Sequence, residues 1–274
     1  MLASYLLSLR EGLEIALIIG ILLGALRQMR RTEFIAALWL GTLSATALSL
    51  LSAILLTRFG LELKDPGEAI FEGITMIVAA GLLTWMIFWM SRQARFLKAN
   101  LEADVERASH SGKRAIFFVA FVSVLREGIE LALFLTASVF ATNAQQTVLG
   151  AFLGLGTAIL LGWSVFAATV RLDLRRFFQV TGILLILFAA GLVVHGVHEF
   201  TEVGWVPPLI DHIWDFSSIV GEDSLLGQLL GALFGYNPAP SLSEMLVYAA
   251  YFIAIAVGLR LSGAKSGKSA QPQT

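Results

Sequence analysis

The sequence predicts an all-α integral membrane protein: seven transmembrane helices, N-terminus outside and C-terminus inside, built as two inverted three-helix repeats followed by a seventh helix. Three observations predict it. Of the 274 residues 57% are hydrophobic and only 14% charged, against roughly 25% charged in an average soluble domain, and the mean hydropathy is +0.79. Several apolar runs approach or exceed the ~20 residues that a helix needs to cross a hydrocarbon core of roughly 30 Å. A six-residue cluster of charge, LREGLE at Leu9 to Glu14, returns as LREGIE at Leu125 to Glu130, 116 residues later.

The same composition excludes several classes of function. A formal net charge of -1 gives no basis for a nucleic-acid partner, since the sorting of charge along the chain matters more than its sum. With no cysteines, disulfides, thiolate metal sites and cysteine nucleophiles are all absent.

The first span is expected over about Leu2 to Leu26, stopped by Arg27, Arg30 and Arg31. It is kept as a span because it lacks a basic leader and carries Arg10, Glu11 and Glu14 where a signal peptide is purely apolar. The second runs from about Phe34 to Thr57, closed by the proline-containing, mixed-charge loop Arg58 to Pro66. The third, about Ala69 to Met90, leaves through Trp85 and Trp89, which fit an interfacial belt. Residues Ser91 to Arg114 read as a solvated connector, with a short surface helix as the alternative. The fourth span, about Ala115 to Ala141, holds the second motif near its centre, and the uncharged Thr142 to Gln146 leads to the fifth, about Val148 to Val170. Arg171, Arg175 and Arg176 precede the sixth, about Phe178 to Phe200. A polar and aromatic loop, residues 201–243, holds Glu202, Asp211, Asp215, Glu222 and Asp223, which either concentrate cations or keep the loop soluble. Within it Gly227, Gly231 and Gly235 mark a half-helix. The seventh span is about Glu244 to Leu261, and residues 262–274 read as a disordered cytoplasmic tail. The transmembrane part, residues 1–261, is taken as one domain, with repeat one over about 2–90 and repeat two over about 115–200.

Orientation follows from the basic residues. With the N-terminus outside, fifteen of the 19 lysines and arginines lie in cytoplasmic segments, only Arg58 and Lys64 lie outside, and Arg10 and Arg126 lie within the spans. A second match supports duplication: Ala79-Ala80-Gly81-Leu82 against Ala189-Ala190-Gly191-Leu192, 110 residues on. Three helices make an odd number of crossings, so the second unit runs the opposite way through the bilayer, a transporter arrangement with the substrate site near mid-depth. Gly12 and Gly128 inside the motifs, and the pairs Gly20 with Gly24 and Gly150 with Gly154, allow close helix packing.

An ionisable side chain at the centre of a span costs about 3 kcal/mol on insertion scales, so six in two helices need a function. Glu11 and Glu14, like Glu127 and Glu130, are three apart and share a helix side. Arg10 and Arg126 each stand four before the second acid, the spacing of an intrahelical ion pair, which leaves Glu11 and Glu127 as spare acids. A site of four carboxylates and two guanidiniums suits a cation. Carboxylate oxygens without cysteine or histidine favour iron, manganese, magnesium or calcium over copper(I) or zinc. A proton-conducting or structural subunit of a larger enzyme is the alternative class, and a carrier of another hard divalent cation such as Mn2+ is another.

These residues resemble a known family. REGLE and REGIE in the first and fourth helices are similar to the paired motifs of the oxidase-dependent iron permeases, closest to the bacterial Efe-type. FEGITMIVAAGLLTWMIFWM at Phe71 to Met90, HEFTEVGW at His198 to Trp205 and FGYNPAPSLSE at Phe234 to Glu244 extend the likeness over nearly the whole chain. The resemblance implies a transporter rather than an enzyme, importing Fe2+ or Fe3+ across the cytoplasmic (inner) membrane. It implies Glu11, Glu14, Glu127 and Glu130 as iron-binding acids and Arg10 and Arg126 as their charge partners. Iron is then a substrate and no cofactor is permanently bound. The implied partners are the bilayer and periplasmic iron-binding or oxidase or peroxidase proteins. Beside the motifs, Glu72 at the outer end of the third helix and His195, His198 and Glu199 at the outer end of the sixth are candidates for a first stop at the outer mouth.

Overall fold

The computed structural model describes residues 1–93, 97–166, 174–207 and 234–268, with scattered positions between 209 and 231. Among these residues the chain is all helical, with no strand. The helices are α1 (Leu2–Gln28), α2 (Ile35–Glu62), α3 (Gly67–Gln93), α4 (Leu97–Ser111), α5 (Lys113–Ala141), α6 (Ala144–Phe166), α7 (Leu174–Glu202) and α8 (Leu242–Lys268). Among the described residues five stretches are long and apolar enough to cross a membrane: Thr32–Glu62, Gly67–Phe88, Ala144–Ser164, Arg176–Glu202 and Leu242–Arg260. α1 and α5 have 27 and 29 residues, or about 40 Å at 1.5 Å per residue. They are set apart by the charged motif rather than by length.

Local chemistry explains several boundaries. The Asn143 side chain accepts from the backbone N–H of Gln145 at 2.9 Å and of Gln146 at 3.4 Å, an N-cap that starts α6 at Ala144, ahead of the expected Val148. Gly112, at φ +96°, supplies the left-handed turn between α4 and α5. α8 continues to Lys268, past the Leu261 at which the last span was expected to end and into the stretch read as a disordered tail. Residues 269–274 lie outside the described residues, as do Arg95, Arg171, Asp211, Glu222 and Asp223.

The connector at 91–114 is corrected. It contains a fifteen-residue helix, α4, because Leu101, Val105 and Ala108 recur at helical spacing and bury on one side. They join Ile18, Leu22 and Leu26 of α1, Leu38 of α2 and Ile116 and Ala120 of α5 in one core cluster.

The chain divides into two compact units, each discontinuous in sequence: Met1–Leu63 with Gln93–Leu185, and Lys64–Arg92 with Ile186–Thr274. In the first unit the most extensive helix pairings are α2 with α5 and α1 with α6, followed by α1 with α5. Both large seams are made by small residues. A Cβ on Gly41 of α2 would run into the backbone of Phe117 and Phe121 of α5, while one on Gly150 of α6 would run into Met1, Ser4 and Tyr5. Gly154 sits as tightly against Tyr5, Ser8 and Leu9, whereas Gly24 opens onto free space. Gly41→Val or Gly150→Val is therefore expected to destabilise the protein by about 1–3 kcal/mol through overpacking, read as a fall in the midpoint of thermal unfolding in detergent. Gly24→Ala serves as the control and holds or slightly raises the midpoint, since alanine is favoured over glycine in a helix interior by about 0.5–1 kcal/mol.

In the second unit α3, the later part of α7 and α8 pack together. Ala79, Ala80, Ala189 and Ala190 of the repeated tetrapeptide are all buried. Gly191 lies against Gly235, where a Cβ on Gly191 would approach the Gly235 nitrogen to 2.7 Å. The Gly235 backbone is itself at φ +65°, so that position suits glycine on both counts. Thr84 of α3 and Tyr251 of α8 share a hydrogen bond of 2.9 Å.

Candidate functional site

The first unit brings the two motifs together from α1 and α5. One turn of helix separates Glu11 from Glu14 and Glu127 from Glu130, so each helix presents its two acids along one side. The motif glycines seat the helices that carry them. A Cβ on Gly12 would come within 2.6 Å of the Ala158 Cβ on α6, and Gly128 is pressed against Ser49 of α2.

Among the described residues, one group of three acids or histidines has ligand atoms all within 4.8 Å of one another: Glu11, Glu14 and Glu127. That scale suits a cation, because oxygens on opposite sides of an ion bound at roughly 2.0–2.5 Å stand about 4–5 Å apart. Glu11 and Glu127 are buried. Both carboxylate oxygens of Glu11, one of Glu127 and one of Glu130 are buried without a hydrogen-bond partner. A carboxylate so placed is costly unless something pairs with it.

The guanidiniums supply part of that pairing. Arg10 Nε lies 3.3 Å from Glu14 Oε1 and its Nη1 lies 3.9 Å from Glu11 Oε1. Arg126 Nε donates to Glu130 Oε1 at 3.2 Å and stands 3.6 Å from Glu127 Oε1. The i,i+4 pairs expected from spacing are present and are the shorter contacts. Spacing alone left Glu11 and Glu127 as spare acids; each in fact shares its arginine at longer range. Four carboxylates against two guanidiniums still leave an excess of two formal negative charges. The two copies differ in surroundings: the Arg10 side chain is 2% exposed and that of Arg126 is 43% exposed.

The residues considered for the outer mouth belong to the second unit. Glu72 stands near Glu68, Glu199 and Glu202, within their electrostatic reach. His198 is engaged elsewhere: its Nδ1 is 2.8 Å from Oε1 of the buried Glu244, and its Nε2 is 3.5 Å from Glu202. Asn237 donates to the second Glu244 oxygen at 3.1 Å, and the Glu244 N–H reaches Ser241 Oγ at 3.3 Å. His195 is hydrogen-bonded to the Gly231 backbone. Sequence reasoning missed Glu244 and Asn237, which lie 46 and 39 residues from His198 and have no local spacing to announce them. Their one signal is that both fall in the stretch FGYNPAPSLSE.

The model of the Iron permease FTR1 family matches residues 1–269 of the chain. The chain is 36% identical over 276 residues to the ferrous iron permease EfeU of Shigella sonnei (strain Ss046), covering 98% of this chain and all of that protein. It is 34% identical over 256 residues to the EfeU of Yersinia pestis, covering 92% and 91% of the two chains. A similar protein of Escherichia coli (strain K12), 35% identical over 276 residues, is named a putative inactive ferrous iron permease. No solved structure matches the chain.

Proposed function

Because the chain belongs to the Iron permease FTR1 family, we propose that it imports iron across the cytoplasmic membrane through the carboxylate cluster of α1 and α5. The observation that carries this reading is the convergence of Glu11, Glu14 and Glu127 to within 4.8 Å inside a multi-pass helical membrane protein. Glu11 and Glu127 are the central ligands, Glu14 and Glu130 complete the set, and Arg10 and Arg126 hold the acids in place when the ion has left. The residual negative charge attracts a cation, and the guanidiniums keep the empty site from repelling itself apart. Oxygen ligands suit iron as a hard or borderline ion. The names of the relatives support Fe2+ as the transported species. Glu72 of α3 and His195, His198 and Glu199 of α7 form a separate first contact for iron at the outer ends of their own helices.

The same reading makes the protein a pair of inverted repeats, seven spans in all with the N-terminus outside, and the packing supports it. Adding 116 to positions in α1 gives α5, and adding 109 to positions in α2 gives α6. Under that mapping the contacts of Gly41 with Phe117, Ala120 and Phe121 become those of Gly150 with Met1, Ser4 and Tyr5. Gly12 against Ala158 likewise becomes Gly128 against Ser49. The third helices of both repeats, α3 and α7, contribute to the same unit. A midplane site between inverted halves is how many carriers are built. With the motif read as site rather than loop, α1 and α5 complete the seven spans.

Iron-dependent thermal stabilisation tests the binding step. A ligand at about 100 times its dissociation constant stabilises by about 2.7 kcal/mol, so Fe2+ under anaerobic conditions is expected to raise the unfolding midpoint of the purified protein. A structural clamp or proton path predicts no shift with Fe2+, and a smaller shift than with Fe3+ or Mn2+ would reassign the ion.

A further inference from the structure

Among the described residues between α7 and α8, a row of large apolar side chains stands exposed. Gly204, at φ +75°, turns the chain out of α7, and Trp205 stacks on Phe200 with ring centroids 5.6 Å apart. Beyond it Leu209, Ile210, Ile213, Trp214, Phe216 and Ile219 are all exposed, Ile219 to 75%. The backbone of this stretch is nonetheless well held. Ile213 N–H donates to Pro240 O at 3.1 Å, Phe216 N–H to Pro238 O at 2.9 Å, and Leu242 N–H returns the bond to Ile210 O at 3.1 Å. A segment pinned by its main chain, with its large side chains turned outward, is built to contact something apolar.

The occupant is identified by where the pins are. Their partners, Pro238, Pro240 and Leu242, lead directly into the span that begins at Leu242. The segment is therefore held at the level where that span meets the membrane surface. Tryptophans with an apolar body and a polar edge favour that level. Asp215, whose Oδ1 accepts from Ser217 N–H at 2.8 Å, is exposed and suits the headgroup zone rather than the hydrocarbon. No lysine or arginine occurs anywhere between Arg176 and Arg260, so attraction to anionic headgroups plays no part and apolar burial provides the binding.

We propose that Trp205, Leu209, Ile210, Ile213, Trp214, Phe216 and Ile219 lie in the membrane interface, with Ile213, Trp214, Phe216 and Ile219 inserted among the lipids at the α8 N-terminal end. The loop that composition allowed as a soluble cap is a surface-seated apron.

The chain contains no cysteine, so single spin labels need no background removal. Ile213→Cys, Ile219→Cys and the control Ser111→Cys on α4 are labelled in neutral phosphatidylcholine liposomes, and collision rates with oxygen and with a water-soluble nickel chelate are compared. Ile219 is 75% exposed and Ile213 39%, and a single elution peak in size exclusion verifies each fold. At 213 and 219 oxygen is expected to exceed nickel several-fold, with the reverse at 111. Nickel access at 213 and 219 equal to that at 111 overturns the proposal. So does protection that fades as the protein is diluted in lipid, which would assign the surface to a second copy of the chain.

Discussion

Glu11→Ala and Glu127→Ala, each alone, are expected to abolish iron uptake into proteoliposomes while leaving a folded, inserted protein. Glu11 has both carboxylate oxygens buried without a hydrogen-bond partner and contributes to the close trio of ligand atoms. Its removal takes away a ligand and relieves an electrostatic cost at the same time, because Arg10 remains 3.3 Å from Glu14. Glu127 stands in the same relation to Arg126 and Glu130. Changing groups merely behind a metal ligand already costs roughly 10–100-fold in affinity or activity, so loss of a ligand itself should cost at least that. The measurement is initial iron influx at matched protein density, with circular dichroism to establish that helix content is unchanged. Normal influx in both variants would remove the motif from the transport path.

The two arginines are expected to behave differently although their motifs are nearly identical. Arg10→Ala leaves Glu11, Glu14 and Glu127 within 4.8 Å of one another without the nearest buried cation. Stripping one partner from a buried ion pair destabilises by about 3–5 kcal/mol, enough that the variant should accumulate poorly and unfold at lower temperature. Arg126 is 43% exposed against 2% for Arg10, so its loss leaves less of a void among packed side chains, and Arg126→Ala should fold and lose mainly transport rate. Lysine at position 10 should restore part of the stability, since it returns the charge but not the planar fork. Equal loss of stability in Arg10→Ala and Arg126→Ala would show that the burial difference does not govern the pair.

Much of the molecule is legible in the chain because membrane solvation acts locally. Apolar run length and loop charge need no tertiary information, and they identify a helical membrane protein and place all the described helices but one. The exception, α4, is polar enough overall to look like a connector. Its stripe of Leu101, Val105 and Ala108 is three residues wide and acquires meaning only against Ile18, Leu22 and Ile116. The pairing of His198 with Glu244 was hidden for the same reason: no periodicity links partners that meet through the return of the chain from α7 to α8.

The sequence by itself determined the class of the protein, the two charged motifs and the arginine that each second acid pairs with, because neighbours at i+3 and i+4 on a helix are fixed by 3.6 residues per turn. Only the tertiary structure decided that Glu11 and Glu14 of α1 meet Glu127 of α5, and that Arg10 is enclosed while Arg126 is not. Those outcomes depend on how closely backbones approach along the seams of α1 with α6 and α2 with α5. Residues as distant in sequence as Gly41 and Phe117 set that approach, and no helical spacing carries it.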